Sequence, residues 1–177
     1  MATIQIADND ARVQYTQAVT ANSTTLTIDF PFFDLDDIKV IVTTSAGVDT
    51  TLTRGSGTGT FAVNGTAVDD GFSGGNITLG DSYDNTHTYT IFRDITIQRT
   101  TDFPTSGPFN IASLNTELDK LTAITQQNNN NFERSVKLTD SDATVSLTIP
   151  DASTRPNKYL GFDGAGNLAA LSGTGAT

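Results

Sequence analysis

The chain has 177 residues, of which 36% are apolar and 8% aromatic, and this is enough for one compact domain with a modest core but not for two. Its net charge of −10 argues against nucleic acid or an anionic membrane as a partner, because both require clustered Lys and Arg. The absence of cysteine excludes a disulfide framework, a thiolate zinc site and a cysteine nucleophile. The N-terminal residues lack the basic and apolar regions of a signal peptide, so neither secretion by that route nor a membrane span is expected.

The first part of the chain shows the alternation of apolar and polar side chains that is typical of half-buried β-strands. This alternation occurs at residues 12–15 and 24–30, and the Ala21-Asn22-Ser23 segment between them predicts a turn. Residues 38–42 are nearly continuously apolar and β-branched, which predicts a strand buried on both faces. We expect this strand to form a hairpin with residues 48–53.

Glycine-rich segments follow this hairpin. Residues 55–59 predict a loop, Asn64-Gly65 is a type I′ turn signal between short strands, and the glycines within residues 71–75 predict another loop. Further strands are predicted at residues 88–93 and 95–97.

The number and spacing of these segments indicate the fold class. About seven or eight short strands separated by turn residues predict an antiparallel β-sandwich, which we assign to residues 1–108. The protein is therefore expected to be mainly β.

The pattern changes to helical spacing between residues 109 and 138. Here a heptad series can be followed through Ile111, Leu114, Leu118, Leu121, Thr125, Asn128 and Phe132. Polar residues in such a seam lower coiled-coil stability while fixing register and oligomeric state, as expected for Thr125 and Asn128. We interpret residues 109–138 as a short parallel coiled coil. The alternative is an amphipathic helix that covers one edge of the preceding sheet within the same chain.

The ends of this helix are marked by capping and charge. Ser113 has a side chain suited to an N-cap, and Glu117 places an acid in the first turn, so the helix is expected to start at Leu114. Basic residues near the other end, followed by a polar cluster, predict a stop near Ser135.

Residues 139–177 are interpreted as a short β extension with a flexible C-terminal tail. A strand is predicted at residues 145–149, and residues 159–162 and 167–168 flank a turn. This segment is too short to bury a core alone, and residues 172–177 are expected to be disordered unless something holds them.

Candidate catalytic and ligand-binding motifs are weak. The glycine-rich residues 55–59 lack the lysine of a phosphate-binding loop, and no helix is predicted after them. His87 and the polar residues 81–85 could supply cation ligands, but a polar turn is the simpler interpretation. The acid pairs Asp36-Asp37 and Asp69-Asp70 do not match a glycosidase arrangement, because neighbouring strand residues point to opposite faces. We therefore predict no enzyme activity, no cofactor and no metal site.

A series of short motifs occurs in a distinctive order along residues 10–138. The motifs are Tyr15, Asp29-Phe30-Pro31-Phe32-Phe33, Asp36-Asp37-Ile38-Lys39-Val40, Tyr89-Thr90-Ile91-Phe92-Arg93, Gln98-Arg99-Thr100-Thr101-Asp102-Phe103, Ser113-Leu114-Asn115-Thr116-Glu117-Leu118-Asp119-Lys120-Leu121 and Gln126-Gln127. This order resembles the N-terminal domain of tail fibres and tailspikes from short-tailed bacteriophages. The segments 147–150, 155–163 and 166–168 are similar to a region that often follows this domain in the same proteins.

The resemblance implies a structural role in a virion. In that family the domain is a trimeric β-sandwich that anchors the fibre to the phage tail, and a helical coiled coil leads out to a receptor-binding or polysaccharide-degrading part. It therefore implies a homotrimer located in the tail, with tail hub, adaptor or nozzle proteins and a distal fibre or spike protein as partners. The trimerisation seam would be Leu114, Leu118, Leu121, Thr125, Asn128 and Phe132. We expect no receptor-binding or polysaccharide-degrading part in these residues.

The sandwich is expected to carry the surface that docks on the tail, because a parallel helical bundle sends the chains away from it near Ser135. Phe61 and Phe72 lie in or beside glycine-rich loops and are candidates for tail contact, although each is equally compatible with a core position. The alternative function is a small carbohydrate- or receptor-binding module of a phage tail, with Phe61, Phe72 and Tyr83 as contact residues.

Overall fold

The computed structural model describes residues 4, 6, 10–98, 103, 110–139, 141–142 and 145–173. Its contacts divide the chain into two compact units, which we call the sheet unit (Met1–Asn131) and the C-terminal unit (Phe132–Thr177).

The sheet unit contains seven strands in one hydrogen-bonded series. They are β1 (Arg12–Thr16), β2 (Thr25–Ile28), β3 (Ile38–Thr43), β4 (Asp49–Arg54), β5 (Thr60–Val68), β6 (Gly71–Leu79) and β7 (Thr88–Arg93). Their spatial order is β1-β7-β3-β4-β5-β6-β2, and every neighbouring pair is antiparallel except the short parallel pair of β4 and β5. The Tyr15 hydroxyl on β1 donates to the Thr27 carbonyl of β2 at 2.9 Å, so the two outer strands meet and the sheet is nearly closed into a barrel.

The prediction of a mainly β protein with one helix is confirmed, but the two separate sheets of the predicted sandwich are not seen. β4 pairs with β3 on one side and with β5 on the other, which joins the two halves into one mixed sheet. The sequence predicts a sandwich because short strands separated by turns usually pair as antiparallel hairpins. The parallel pairing of β4 with β5 could not be inferred from that spacing, and it is this pairing that makes one sheet out of two.

One apolar core fills the interior of this curled sheet. Its largest fully buried side chains are Tyr89, Phe30, Phe32, Phe61, Leu26, Ile28, Ile38, Ile77, Leu79, Ile91 and Val40. The Phe32 and Phe72 rings stack with centroids 4.9 Å apart, and Phe72 packs over the backbone of Gly65, where a Cβ atom would lie 2.3 Å from the ring. Large rings therefore occupy the space that the strand glycines leave open.

The hairpin predicted from residues 38–53 is confirmed as β3 and β4. However, β3 alternates between buried and half-buried residues, so it is buried on one face and not on both. β-branched residues such as Ile41 lie on the outer face, where β-propensity and not burial explains their presence.

The loop predicted at residues 55–59 is confirmed between β4 and β5, but the glycines of the predicted Asn64-Gly65 turn and of the predicted 71–75 loop lie within strands. Asn64 and Gly65 are in the middle of β5, with an irregular register between Gly65 and Ala67, and β6 begins at Gly71 and continues through Gly75. Gly75 has φ +158°, and a Cβ there would lie 2.3 Å from the Asn64 carbonyl oxygen. Glycine is thus required by the close approach of two strands and not by a turn.

The predicted helix is observed as α1 (Ile111–Glu133). It starts three residues earlier than predicted, because the Asn110 side chain accepts a hydrogen bond from the Ser113 amide at 3.2 Å. Asn110, and not Ser113, is therefore the residue that caps the first turn. The end at Glu133 agrees with the predicted stop near Ser135 within the usual uncertainty of helix ends.

The C-terminal unit contains the hairpin of β8 (Tyr159–Phe162) and β9 (Leu168–Leu171), as predicted from the turn residues between them. The strand predicted at residues 145–149 is not formed. Instead, the Ser146 amide donates to the Asn167 side chain at 2.8 Å and its carbonyl accepts from the Leu168 amide at 2.9 Å. Of the predicted flexible tail, residues 174–177 lie outside the described residues. In the part of the chain that the structure covers, no helix is long and apolar enough to cross a membrane.

Candidate self-association surface

Helix α1 exposes its heptad seam. The exposed fractions are 66% for Ile111, 51% for Leu118, 59% for Leu121 and 56% for Phe132. Leu114 is half-buried, whereas Thr125 and Asn128 are exposed. These residues recur every three or four positions and therefore form one row along the helix. The predicted seam is thus a continuous surface feature of this chain.

Most of α1 belongs to the sheet unit, and the face opposite the seam packs on the strands and loops of that unit. Ala123 is fully buried, and the buried Arg93 side chain reaches this face from the end of β7. The Arg93 guanidinium donates to the Pro31 carbonyl at 2.7 Å and to the Gln126 side chain at 3.1 Å. A longer contact of 3.5 Å joins it to the Ala123 carbonyl. Arg93 therefore links two parts of the sheet unit to the helix.

Other contacts between α1 and the sheet unit are also polar. Gln127 accepts a hydrogen bond from the Ile95 amide at 2.7 Å and donates to the Asp94 carboxylate at 3.0 Å. Asn130 donates to the Asp10 carboxylate, and the Thr116 hydroxyl donates to the Asp70 carboxylate at 3.3 Å. Residues 116, 123 and 130 are seven apart, so the docked face has its own heptad spacing, on the side away from the seam.

The two interpretations of the helix are therefore not exclusive. The helix does cover part of its own sheet unit, as in the alternative, but it does so with small and polar residues. Leu118, Leu121 and Phe132 remain exposed, so intramolecular packing does not account for the apolar row.

The chemistry of the seam suits an interface between helices. The Thr125 hydroxyl donates to the Leu121 carbonyl at 2.8 Å, so its polar group is satisfied within the helix. No Asp, Glu, Lys or Arg occurs at the seam positions between Ile111 and Phe132. Copies of the helix can therefore approach along this row without bringing like charges into contact.

The predicted tail-contact residues are placed differently from the seam. Phe61 is 1% exposed and belongs to the core, so it offers no contact surface. Phe72 is half-buried and stacks on Phe32, and the Tyr83 ring packs against Tyr89 with centroids 5.9 Å apart. The three aromatic residues of the carbohydrate-binding alternative therefore form or border the core and do not gather at an exposed site.

The predicted polar turn around His87 is held together by internal hydrogen bonds. The Asp84 carboxylate accepts from the Thr86 amide and the Thr86 hydroxyl, and it lies 2.9 Å from His87 Nδ1. Together these hydrogen bonds lower the pKa of Asp84 to about 2, and the one from the Thr86 hydroxyl has the largest effect. Asp81 accepts from the Gly59 amide at 2.7 Å. Among the described residues, no group of three or more His, Asp or Glu side chains is arranged to hold a metal ion.

Within the sheet unit, an acidic groove of about 480 Å³ lies between α1 and residues of the strands and loops. The carboxylates that line it form hydrogen bonds or an ion pair with nearby groups. Asp36 pairs with Arg54, Asp70 accepts from the Ile4 amide at 2.8 Å, and Asp37 accepts from the Phe33 and Asp34 amides. Burial nevertheless raises the pKa of Asp37. The carboxylates of Asp36, Asp37 and Asp70 in this groove therefore hold neighbouring backbone and side-chain groups in place.

Sequence reasoning missed the docked face of the helix. Arg93 and Gln127 both occur within the motifs of the phage resemblance, but a helix analysed by its apolar residues directs attention to the opposite side. The available signal was the repeat of small or amide side chains at residues 116, 123 and 130.

Comparison with known proteins gives no family assignment. No family model matches the chain, and no curated protein matches it. One solved structure, described as the group B streptococcus pilus 2b backbone protein, aligns with 94% of this chain and 68% of its own at 16% identity and a TM-score of 0.31. Similarity at that level does not establish a shared fold.

Proposed function

We propose that this protein is the tail-attachment module of a bacteriophage tail fibre or tailspike, and that it forms a homotrimer through the seam of α1. The sheet unit binds tail hub, adaptor or nozzle proteins, and the helices hold the three copies together. The role is structural, within the virion, and involves no catalysis or cofactor. The order of motifs along residues 10–138 suggests the phage tail, as in the resemblance described above.

One observation gives this proposal its main support. An apolar row lies exposed on a helix whose other side is fixed to its own sheet unit by Ala123 and Arg93. A helix that can rotate could turn its apolar face inward, but these contacts hold this one in the opposite orientation. Large exposed apolar patches are uncommon on monomers, so we infer that a partner covers this row. Its heptad spacing is that of a coiled coil, so the same helix in other copies of the chain is a suitable partner.

The oligomeric state tests the assembly. Light scattering at micromolar concentration should give three times the chain mass of 18.7 kDa. Leu118→Asp should give a monomer with a nearly unchanged β-sheet circular dichroism spectrum, because three carboxylates would meet in an apolar layer. Asn115→Asp adds the same charge at an exposed helix position outside the seam and should remain trimeric. A wild-type chain that stays monomeric as its concentration rises would refute the assembly.

A binding experiment tests the assignment of docking to the sheet unit. In a pull-down with purified phage tail proteins, the full chain should bind, and Leu118→Asp should bind more weakly because trivalent attachment is lost. A chain lacking residues 139–177 should retain binding. If binding instead disappears with that deletion while the sheet unit stays folded, the docking surface lies in the C-terminal unit.

A further inference from the structure

The C-terminal unit has an ordered hairpin but no core of its own. All fully buried apolar residues of the described chain lie between Ile4 and Ala123, in the sheet unit. Seven of the twelve large apolar residues that are strongly exposed lie in the C-terminal unit, and they are Phe132, Val136, Ile149, Tyr159, Leu160, Phe162 and Leu171. An isolated two-stranded hairpin is at best marginally stable in water, so this unit requires a further apolar surface to pack against.

One face of the hairpin is suited to such packing. The register pairs Leu160 with Ala170 and Phe162 with Leu168, so these four side chains share a face. Two grooves of about 200 and 430 Å³ lie along it, lined in part by Leu160 and Ala170 in one and by Phe162 in the other. Leu160 and Phe162 are each 61% exposed. We call these four residues the hairpin face.

The opposite side of the hairpin carries Tyr159 and Leu171, which are 67% and 40% exposed. A Cβ atom at Gly161 would lie 2.6 Å from the Leu171 side chain, and one at Gly173 would lie 2.0 Å from the Tyr159 ring. Leu171 and Tyr159 therefore lie over the glycine backbone of the same hairpin. The hairpin face borders two open grooves, lined also by Ile149 and Pro150 in one and by Val145 and Leu147 in the other, and its Leu160 and Phe162 side chains remain exposed, so this face can accept a further apolar surface.

We propose that the hairpin face packs against the same face in the other copies of the trimer, forming a second self-association interface beyond the helix seam. This inference rests on the trimer of the proposed function. The exposed Phe132 is the last residue of the seam and the first of the C-terminal unit, so the seam and this unit are continuous in sequence. Trimerisation through the seam would therefore raise the local concentration of the three hairpins.

Charge also favours copies of the same unit as the partner. Residues 132–177 contain four Lys or Arg and five Asp or Glu, a net charge of −1, whereas the whole chain has −10. Three such units can meet with little electrostatic repulsion, and the unit offers no strong field to attract an oppositely charged protein.

Cross-linking tests this interface in the full chain. Since the natural sequence has no cysteine, a single introduced thiol is the only one present. Ala170→Cys places a thiol on the hairpin face, whereas Ala169→Cys, its neighbour on the same strand, places one on the opposite side. Under mild oxidation, Ala170→Cys should form covalent dimers roughly tenfold or more faster than Ala169→Cys, because its thiols lie close together in the trimer.

A second variant separates this inference from the proposed function. Adding Leu118→Asp to Ala170→Cys should slow cross-linking to the rate of free collision. If light scattering shows a trimer but Ala170→Cys reacts no faster than Ala169→Cys, the hairpin interface is refuted while the helix assembly stands. If the unmodified chain is monomeric at all concentrations, both fail. Fast cross-linking of Ala170→Cys in a trimer supports both.

Discussion

Arg93 lies at the end of β7 with 3% of its surface exposed, and its guanidinium connects the Pro31 carbonyl to Gln126 on α1. Burial lowers its pKa, and the charge of Asp37 acts in the opposite direction. Among the described residues its Nε atom has no hydrogen-bond partner. A buried and incompletely paired cation is costly, so its contacts to the helix must offset that cost.

Removing the Arg93 side chain should therefore weaken the sheet unit. Arg93→Ala leaves a cavity and removes the hydrogen bond to the Pro31 carbonyl, and we expect the free energy of unfolding to fall by about 2–4 kcal/mol. Arg93→Met keeps most of the apolar volume without the charge and should cost less. Urea denaturation followed by circular dichroism measures both. Arg54→Ala removes an exposed arginine paired with Asp36 and serves as the control with little expected change. An Arg93→Ala variant as stable as Arg54→Ala would contradict this role.

Asp84 should make the stability of the protein sensitive to acid. Its folded-state pKa of about 2 is below the ordinary value of 3.8, so the ionised carboxylate adds stability above that value. The contribution is lost as pH falls from about 4 towards 2. Asp84→Asn keeps an oxygen for the Thr86 amide but cannot ionise, so its urea midpoint should fall less over this range. Asp36 and Asp163 also have lowered pKa values and should leave part of the slope in place. An unchanged pH dependence in Asp84→Asn would show that its hydrogen bonds are not formed in solution.

At the scale of elements, the docking of α1 depends on a small residue. Ala123 is fully buried against the sheet unit, so Ala123→Leu adds three carbon atoms where no space exists. We expect a loss of about 1–3 kcal/mol in the free energy of unfolding and faster amide hydrogen exchange in the helix. Ala112→Leu makes the same change at an exposed position of α1 and should have little effect. Equal behaviour of the two variants would indicate that the helix is not docked in solution.

The elements that the sequence predicts well are those whose signals are local. The β3–β4 hairpin, α1 and the β8–β9 hairpin each follow from periodicity and turn residues within a short window. β6 was missed in part because Gly71 and Gly75 indicate a loop when read locally, whereas they are selected by contact with distant backbone. The parallel pairing of β4 with β5 likewise depends on the closure of the whole sheet.

The candidate self-association surface was likewise predictable where the signal is local and not where it depends on distant contacts. The seam could be predicted because a heptad row is a property of one helix. The exposure of the seam could not be predicted in the same way. It depends on Ala123 and Arg93, which hold the other face of the helix against the strands and leave Leu118 and Leu121 exposed. Phe61 could not be assigned from its neighbours alone, since a glycine-rich loop before it does not show that its strand faces the core.

At the scale of the whole molecule, the two units differ in how they bury apolar surface. The sheet unit encloses a complete core, whereas the C-terminal unit exposes residues such as Leu160 and Phe162. The sheet unit should therefore be stable by itself, and the order of the C-terminal unit should depend on association. A protein whose folding is coupled to oligomerisation has a stability that rises with its concentration.

Hydrogen exchange at different concentrations tests this division. Amides of β8 and β9 should become better protected as the chain concentration rises, because mass action favours the trimer. Amides of β3 and β7 should be protected equally at all concentrations, since their core lies within one chain. Leu118→Asp should reduce protection in the hairpin and leave β3 and β7 unchanged. If β8 and β9 are protected as strongly in the Leu118→Asp monomer as in the unmodified trimer, the C-terminal unit folds alone, despite having no buried apolar residue among those described.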